Sequence, residues 1–202
     1  MQKQFQSKIG TISSEKYHQA KSIKSAVSEV FGYKEFLTLC LSFAGMTIKL
    51  IYIGKTFQSF ISEGCKEFEA RLKKYTRLEV FILADVKSGG SMEANALKKA
   101  EAQLVLKQLK PDDWLVLLDE RGDQFSSVQF SKNLQDKMNK GLKTVVFLVG
   151  GAFGFDEQLY ERANEKLSFS KMTFSHQMIR LFLAEQIYRA FTILKNEPYH
   201  NE

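Results

Sequence analysis

The residues best placed for chemistry lie between Thr144 and Arg180, in TVVFLVGGAFGFDEQLYERANEKLSFSKMTFSHQMIR. The apolar run Val145 to Val149 stops at Gly150-Gly151, the pattern of a buried strand that feeds a tight turn. A second short apolar piece, Leu167-Ser168-Phe169, runs into Ser170-Lys171-Met172-Thr173-Phe174-Ser175-His176, a loop of small, polar and aromatic residues ahead of a long helix. Open α/β sheets place ligands at the carboxyl ends of their strands, and here two such ends come from neighbouring parts of the chain. The spacing therefore points to a cofactor pocket without specifying its chemistry, although an isolated Gly-Gly is more often a plain turn. His176 brings an imidazole that titrates near neutrality and can accept a proton; it reads equally well as a hydrogen-bonded histidine at a helix start. Arg180, one helical turn on, can hold a phosphate or pair with Glu185 or another acid. The tail Pro198-Tyr199-His200 reads by itself as a frayed end.

The rest of the chain must position these residues. Met46 precedes a clear first strand, Thr47 to Ile53, which Gly54 ends. A helix follows with Phe57, Phe60, Ile61, Gly64, Phe68 and Leu72 on one face at a 3.6-residue period, and with Arg71, Lys73, Lys74 and Arg77 at its far end. Leu78 to Leu83 reads as a second strand, Asp85 to Ser91 as a flexible loop, and Met92 to Leu109 as a helix broken by Pro111. Trp114 to Leu118 reads as a buried third strand that ends in a loop, Asp119-Glu120-Arg121-Gly122. Ser126 with Gln129 forms a capping box for a helix that runs to about Lys140 and stops at Gly141. Asp156 caps a short helix whose apolar side carries Leu159 and Tyr160. The final helix, Gln177 to Leu194, is apolar nearly all round, so its own sheet covers one side and a second subunit is the natural cover for another. Alternating strands and helices make an α/β domain with a mainly parallel sheet flanked by helices.

Composition narrows the function. The 202 residues suit one domain, or one domain plus an arm, and a hydrophobic content of 44% is ample for a packed core. The formal charge of +6 favours a polyanionic partner. Cys40 and Cys65 have no metal spacing, and the three histidines lie far apart, so a metal site is not expected. The cysteine usage suits a reducing cytoplasm. No run reaches the length of a membrane span. Residues 1 to 45 are rich in Lys, Ser and Gln, contain no Arg, and read as an extension outside the fold, from an over-long start site or an interaction arm. A nucleotide phosphate loop at Gly54-Lys55-Thr56 would need glycine at position 49, where Lys49 stands. A nicotinamide-type oxidoreductase would need G-x-G-x-x-G after the first strand, which is absent. A non-catalytic RNA-binding protein would need the basic surface alone.

Four segments, FLVGGAFG, LSFSKMTFSHQMIR, EQIYRA and NEPYH, together resemble the trefoil-knotted SPOUT methyltransferases. Within that family they are similar to the small bacterial enzymes that methylate N3 of a pseudouridine in large-subunit (23S) ribosomal RNA. The resemblance runs from about Met46 to His200. It implies a carboxyl-terminal trefoil knot and a cytoplasmic homodimer that acts on rRNA, with the assembled ribosome as substrate. It also implies an S-adenosylmethionine site formed by Leu118, Gly150, Phe169, Ser170, Lys171, Met172, Thr173 and Phe174. In that site a bare Gly150 lets backbone approach the adenosine closely, and Phe169, Met172 and Phe174 wall the adenine and methionine chain. His176, Arg180, Tyr199 and His200 are the residues it implies on the substrate side. Ser175 stands where many relatives carry proline, which implies a looser loop. Asn201-Glu202 replaces the basic residue that ends the family's tail.

Overall fold

A computed structural model describes residues 45–86 and 93–200 of the chain. Five strands, β1 (Thr47–Ile53), β2 (Arg77–Leu83), β3 (Trp114–Gln124), β4 (Thr144–Val149) and β5 (Glu165–Ser168), form one sheet in the order β2-β1-β4-β3-β5. Every pairing is parallel. Five helices, α1 (Ser59–Leu72), α2 (Ala94–Leu106), α3 (Ser127–Asn139), α4 (Glu157–Arg162) and α5 (Met178–Leu194), flank it. This is the α/β architecture that the alternating pattern implies.

The strands read as continuous apolar runs because both faces of the sheet are covered. Leu50, Tyr52, Phe147 and Val149 face α1, α3 and α5, where Leu72, Leu134, Leu183 and Ile187 meet them. Ile51, Leu117, Val146 and Leu148 face α2 and α4, with Val105, Phe155 and Leu159 opposite. Caps expected from the sequence are in place. Ser126 and Gln129 make both halves of the capping box, Asp156 accepts from Gln158 N at 3.1 Å, and Gly141 takes φ +73° after α3.

Three sequence expectations need correction. The third strand does not end at Leu118. It continues through Asp119-Glu120-Arg121-Gly122 to Gln124, because β5 pairs with it on both sides of an irregularity between Leu118 and Asp123. A side chain at Gly122 would lie 2.6 Å from the backbone of Leu167 and Lys166, so glycine is what admits that pairing. The apolar face of α1 is also set differently. Ile61, Cys65 and Leu72 are buried, whereas Phe57 precedes the helix and Phe57 and Phe60 are 72% and 59% exposed. Gly64 is the closest approach to α5, where an added Cβ would meet Leu181 Cδ1 at 2.8 Å. Finally, α2 spans Ala94–Leu106 rather than reaching Leu109. The expected extension before Met46 and the residues of the Asp85–Ser91 loop after Val86 lie outside the described residues.

One buried ion pair holds the amino ends of the strands. Lys49 Nζ donates to Asp113 Oδ2 at 3.1 Å and to Gln108 O at 3.3 Å, with both charged side chains almost fully enclosed. Removing one partner leaves the other charge buried alone, so Asp113→Ala should cost about 3 kcal/mol or more in urea unfolding. The double variant Lys49→Met, Asp113→Ala should recover most of that loss. A single variant as stable as the parent would show that water reaches the pair.

Candidate active site

The carboxyl ends of β3, β4 and β5 open onto a single cavity of about 440 Å³. Its walls are Leu118 to Arg121, Val149 to Phe155, and Leu167 to Ser170, with Met172, Thr173, Phe174, His176, Ile179, Tyr160 and Lys98 closing the sides. Leu118, Gly150, Phe169, Ser170, Met172, Thr173, Phe174 and His176 thus line one cavity. Lys171 sits in the same loop but does not line the cavity.

Local chemistry explains the shape. A Cβ on Gly150 would lie 2.8 Å from Phe155 Cε1, so glycine lets the Phe155 ring tuck beneath the turn. Its first role is therefore a protein contact, in addition to any approach by a ligand. Gly151 pairs with Gly154, which takes φ +78°, and Phe153 stands at the exposed tip between them. Below that turn lies the Glu101 carboxylate, 3.0 Å from where a Cβ on Gly151 would be. Burial, then the nearby Asp85 charge, pushes the Glu101 carboxyl above its usual value. In the second loop Met172 N donates to Ser170 Oγ, and Ser168 Oγ donates to Ser170 O, both at 2.9 Å. Phe169 packs edge-on against Phe130 and belongs partly to the core. Met172 is 76% exposed, and the Phe174 ring meets Phe182 at a tilt, with centroids 5.0 Å apart.

Ser175 does not loosen this loop. Its Oγ accepts from Met178 N at 3.1 Å and its carbonyl accepts from Ile179 N at 3.1 Å, which closes the first turn of α5. Gln177 Oε1 accepts from Phe57 N at 3.1 Å and so ties the same turn to the segment after β1.

His176 lines the cavity, and its pKa lies below the ordinary imidazole value, through burial first and the adjacent Arg180 charge second, with Asp85 opposing. The ring is therefore neutral at pH 7 and able to accept a proton. Because the unfolded chain binds that proton more readily, the site contributes stability that is intact above about pH 6.5 and declines as pH falls below it. Thermal unfolding of His176→Gln should show a shallower acid-side decline than the parent. Parallel curves would remove His176 as the titrating group.

Arg180 does not line the cavity. It is 0% exposed, and its guanidinium donates to Gly54 O at 2.9 Å, Thr56 Oγ1 at 2.8 Å, His176 O at 3.1 Å and Ile53 O. It also lies 5.2 Å over the Tyr52 ring. It binds the start of α5 to the end of β1. Glu185, the acid offered as its partner, is taken by Arg189.

Tyr199 and His200 follow α5 and fold back against its middle, and neither lines the cavity. They are anchored rather than frayed. Tyr199 donates to Glu185 Oε1 at 3.1 Å and packs edge-on against Tyr188, while His200 Nδ1 stands 3.4 Å from Arg189 Nη1. One chain alone therefore does not bring its tail to its own cavity.

The sequence reading located Asp119 to Arg121 at a strand end but assigned them nothing. Tyr160 was placed on an apolar helix side, yet its hydroxyl donates to Asp119 and accepts from Arg121 Nη2 at 2.8 Å. Burial alone would raise the Asp119 pKa, but the Tyr160 and Arg121 bonds outweigh it and hold the carboxyl below its usual value.

Comparison with known proteins agrees with this geometry. The family model described as a predicted SPOUT methyltransferase matches residues 46–200. A protein of Christiangramia forsetii named ribosomal RNA large subunit methyltransferase H is 51% identical over 156 residues, which is 77% of this chain and 99% of that protein. Proteins of the same name from Parabacteroides distasonis and Bacteroides thetaiotaomicron are 51% and 42% identical over 157 residues, covering 78% of this chain and the whole of each relative.

Proposed function

The chain belongs to the SPOUT methyltransferase family, and from that premise we infer that it methylates large-subunit ribosomal RNA, at N3 of a pseudouridine, with S-adenosylmethionine as donor. The observation that carries the reading is the cavity where the Gly150-Gly151 turn meets the Phe169–Phe174 loop. Its size falls in the range of small-molecule sites, and Phe153, Phe155, Phe169 and Phe174 give it aromatic walls, with the charged groups Lys98, Asp119, Glu120 and Arg121 also among its lining. Leu118, Gly150, Phe169, Ser170, Met172, Thr173 and Phe174 would hold the cofactor, with Lys171 in the same loop, and the carboxyl-terminal third of the chain would close the trefoil knot.

The donor supplies a methyl group on a positively charged sulfur. The reaction forms an N3–CH3 bond, breaks an S–CH3 bond and releases the proton of N3. The protein's task is to align the two reactants and to receive that proton. Neutral His176 is on hand for the second task. Arg180 acts behind it by fixing the turn that presents it.

The working unit in this reading is a cytoplasmic homodimer acting on the assembled ribosome. Phe57, Phe60, Phe174 and Phe182 are exposed around the adjoining starts of α1 and α5, an apolar surface that a second copy would cover. That copy would also bring its Tyr199-His200 tail to the cavity. Mass spectrometry of rRNA nucleosides from cells with and without the protein tests the function. Loss of an N3-methylated pseudouridine supports it, and an unchanged nucleoside profile overturns it.

A further inference from the structure

Resting on the rRNA reading above, we propose that Arg121 is an RNA-backbone contact at the rim of the cavity, held in place by Asp119 and Tyr160. Asp119 and Arg121 are two apart in the irregular stretch of β3 between Leu118 and Asp123, and their side chains meet there. The Asp119 side chain is 7% exposed. Its Oδ1 accepts from Arg121 N at 2.8 Å and Arg121 Nε at 3.4 Å, while its Oδ2 accepts from Tyr160. Arg121 Nη2 donates to the Tyr160 hydroxyl, and the guanidinium lies 5.6 Å over the Tyr160 ring.

Each oxygen of the carboxylate accepts from another donor as well, the Tyr160 hydroxyl or Arg121 N, and the guanidinium adds the counter-charge through Nε alone. Fixing a long cation in one rotamer costs side-chain entropy, and an exposed ion pair returns little. Yet the Arg121 side chain is 72% exposed while being fixed on three sides, and its Nη1 has no partner among the described residues. A cofactor enclosed deeper in the cavity is not what an outward-facing fork meets first. What approaches from solvent is the polyanionic substrate, and a planar fork with a free edge matches a phosphate. Lys98 lines the same cavity, as does the carboxylate of Glu120, so the case for a phosphate rests on the Arg121 fork itself.

The test uses the full chain with large ribosomal subunits, over about 50 to 200 mM salt. Arg121→Ala should lower the slope of log affinity against log salt by roughly 0.7 to 0.9, one phosphate contact fewer. The apparent KM for ribosomes should rise about tenfold, most of the loss falling on KM rather than kcat, and affinity for S-adenosylmethionine should stay within about twofold. Arg121→Lys keeps the charge and should keep the slope while raising KM by less. Tyr160→Phe should also keep the slope, since it loosens the guanidinium without removing it. An unchanged slope in Arg121→Ala overturns the proposal, and so does a matching loss of cofactor affinity, which would make Arg121 a cofactor contact. A parent protein that neither binds nor methylates ribosomal subunits overturns the rRNA reading itself, a result distinct from either.

Discussion

Removing residues 198 to 202 should reduce methyl transfer about a thousandfold, the scale of a lost acid–base or positioning group, while S-adenosylmethionine binds as before. The two halves of that expectation come from where the tail rests. Tyr199 is held by Glu185 and Tyr188 and does not line the cavity, so truncation leaves the Gly150 turn and the Phe169–Phe174 loop untouched. The complementary variant is Gly150→Val. Its side chain would collide with the Phe155 ring and distort the turn, which should abolish cofactor binding. Each variant alone is inactive. Mixed subunits should regain activity, because one of the two sites then combines an intact turn with an intact tail from the other chain. Calorimetry for the cofactor and radiolabel transfer to ribosomes read the two halves separately. A dimer without rescue would end the shared site, and a monomer by light scattering would end the dimer as well.

Arg180→Ala should be the most damaging single change to stability, costing about 4 kcal/mol, because it strips hydrogen bonds from several enclosed carbonyls and leaves a void. Gly54, Ile53 and His176 each lose the donor that satisfies them. Arg180→Lys should recover little, since an ammonium cannot reach along both β1 and α5 as a planar fork does. Urea unfolding measures the loss, and cofactor affinity should fall with it because the His176 turn is no longer fixed. A variant that unfolds at the parent's urea midpoint would show that the clamp adds nothing to the fold.

What could be read in advance followed from how each signal arises. The runs Thr47 to Ile53 and Thr144 to Val149 announce themselves because helices cover both faces of their strands. The capping box and Gly141 are local chemistry, so they too were legible. The continuation of β3 was not. Its residues Asp119 to Gln124 are polar because this part of the strand is largely exposed, and the pairing that keeps it extended depends on a backbone contact at Gly122. The bonds of Arg180 were not legible for a related reason. Its partners are main-chain carbonyls, which leave no residue-type signature, so a phosphate or an acid looked like the natural choice. The pocket loops were legible as strand ends carrying glycine and small polar residues, and their content became specific only through four motifs taken together.

The strand order has a consequence for how the molecule is made. β1 pairs with β2 soon after it in the chain, but its other edge waits for β4, nearly a hundred residues later. Contacts of such sequence separation slow folding, since a large loop must close before any pairing is gained. During synthesis the central strand therefore carries an unpaired apolar edge until most of the chain has left the ribosome, and such an edge invites misassembly. The active-site loops, which follow β4 and β5, form only after that edge is closed. No cofactor-binding fragment can precede the finished sheet, so activity in a pulse-labelled synthesis should lag full-length chain by the time of this last pairing.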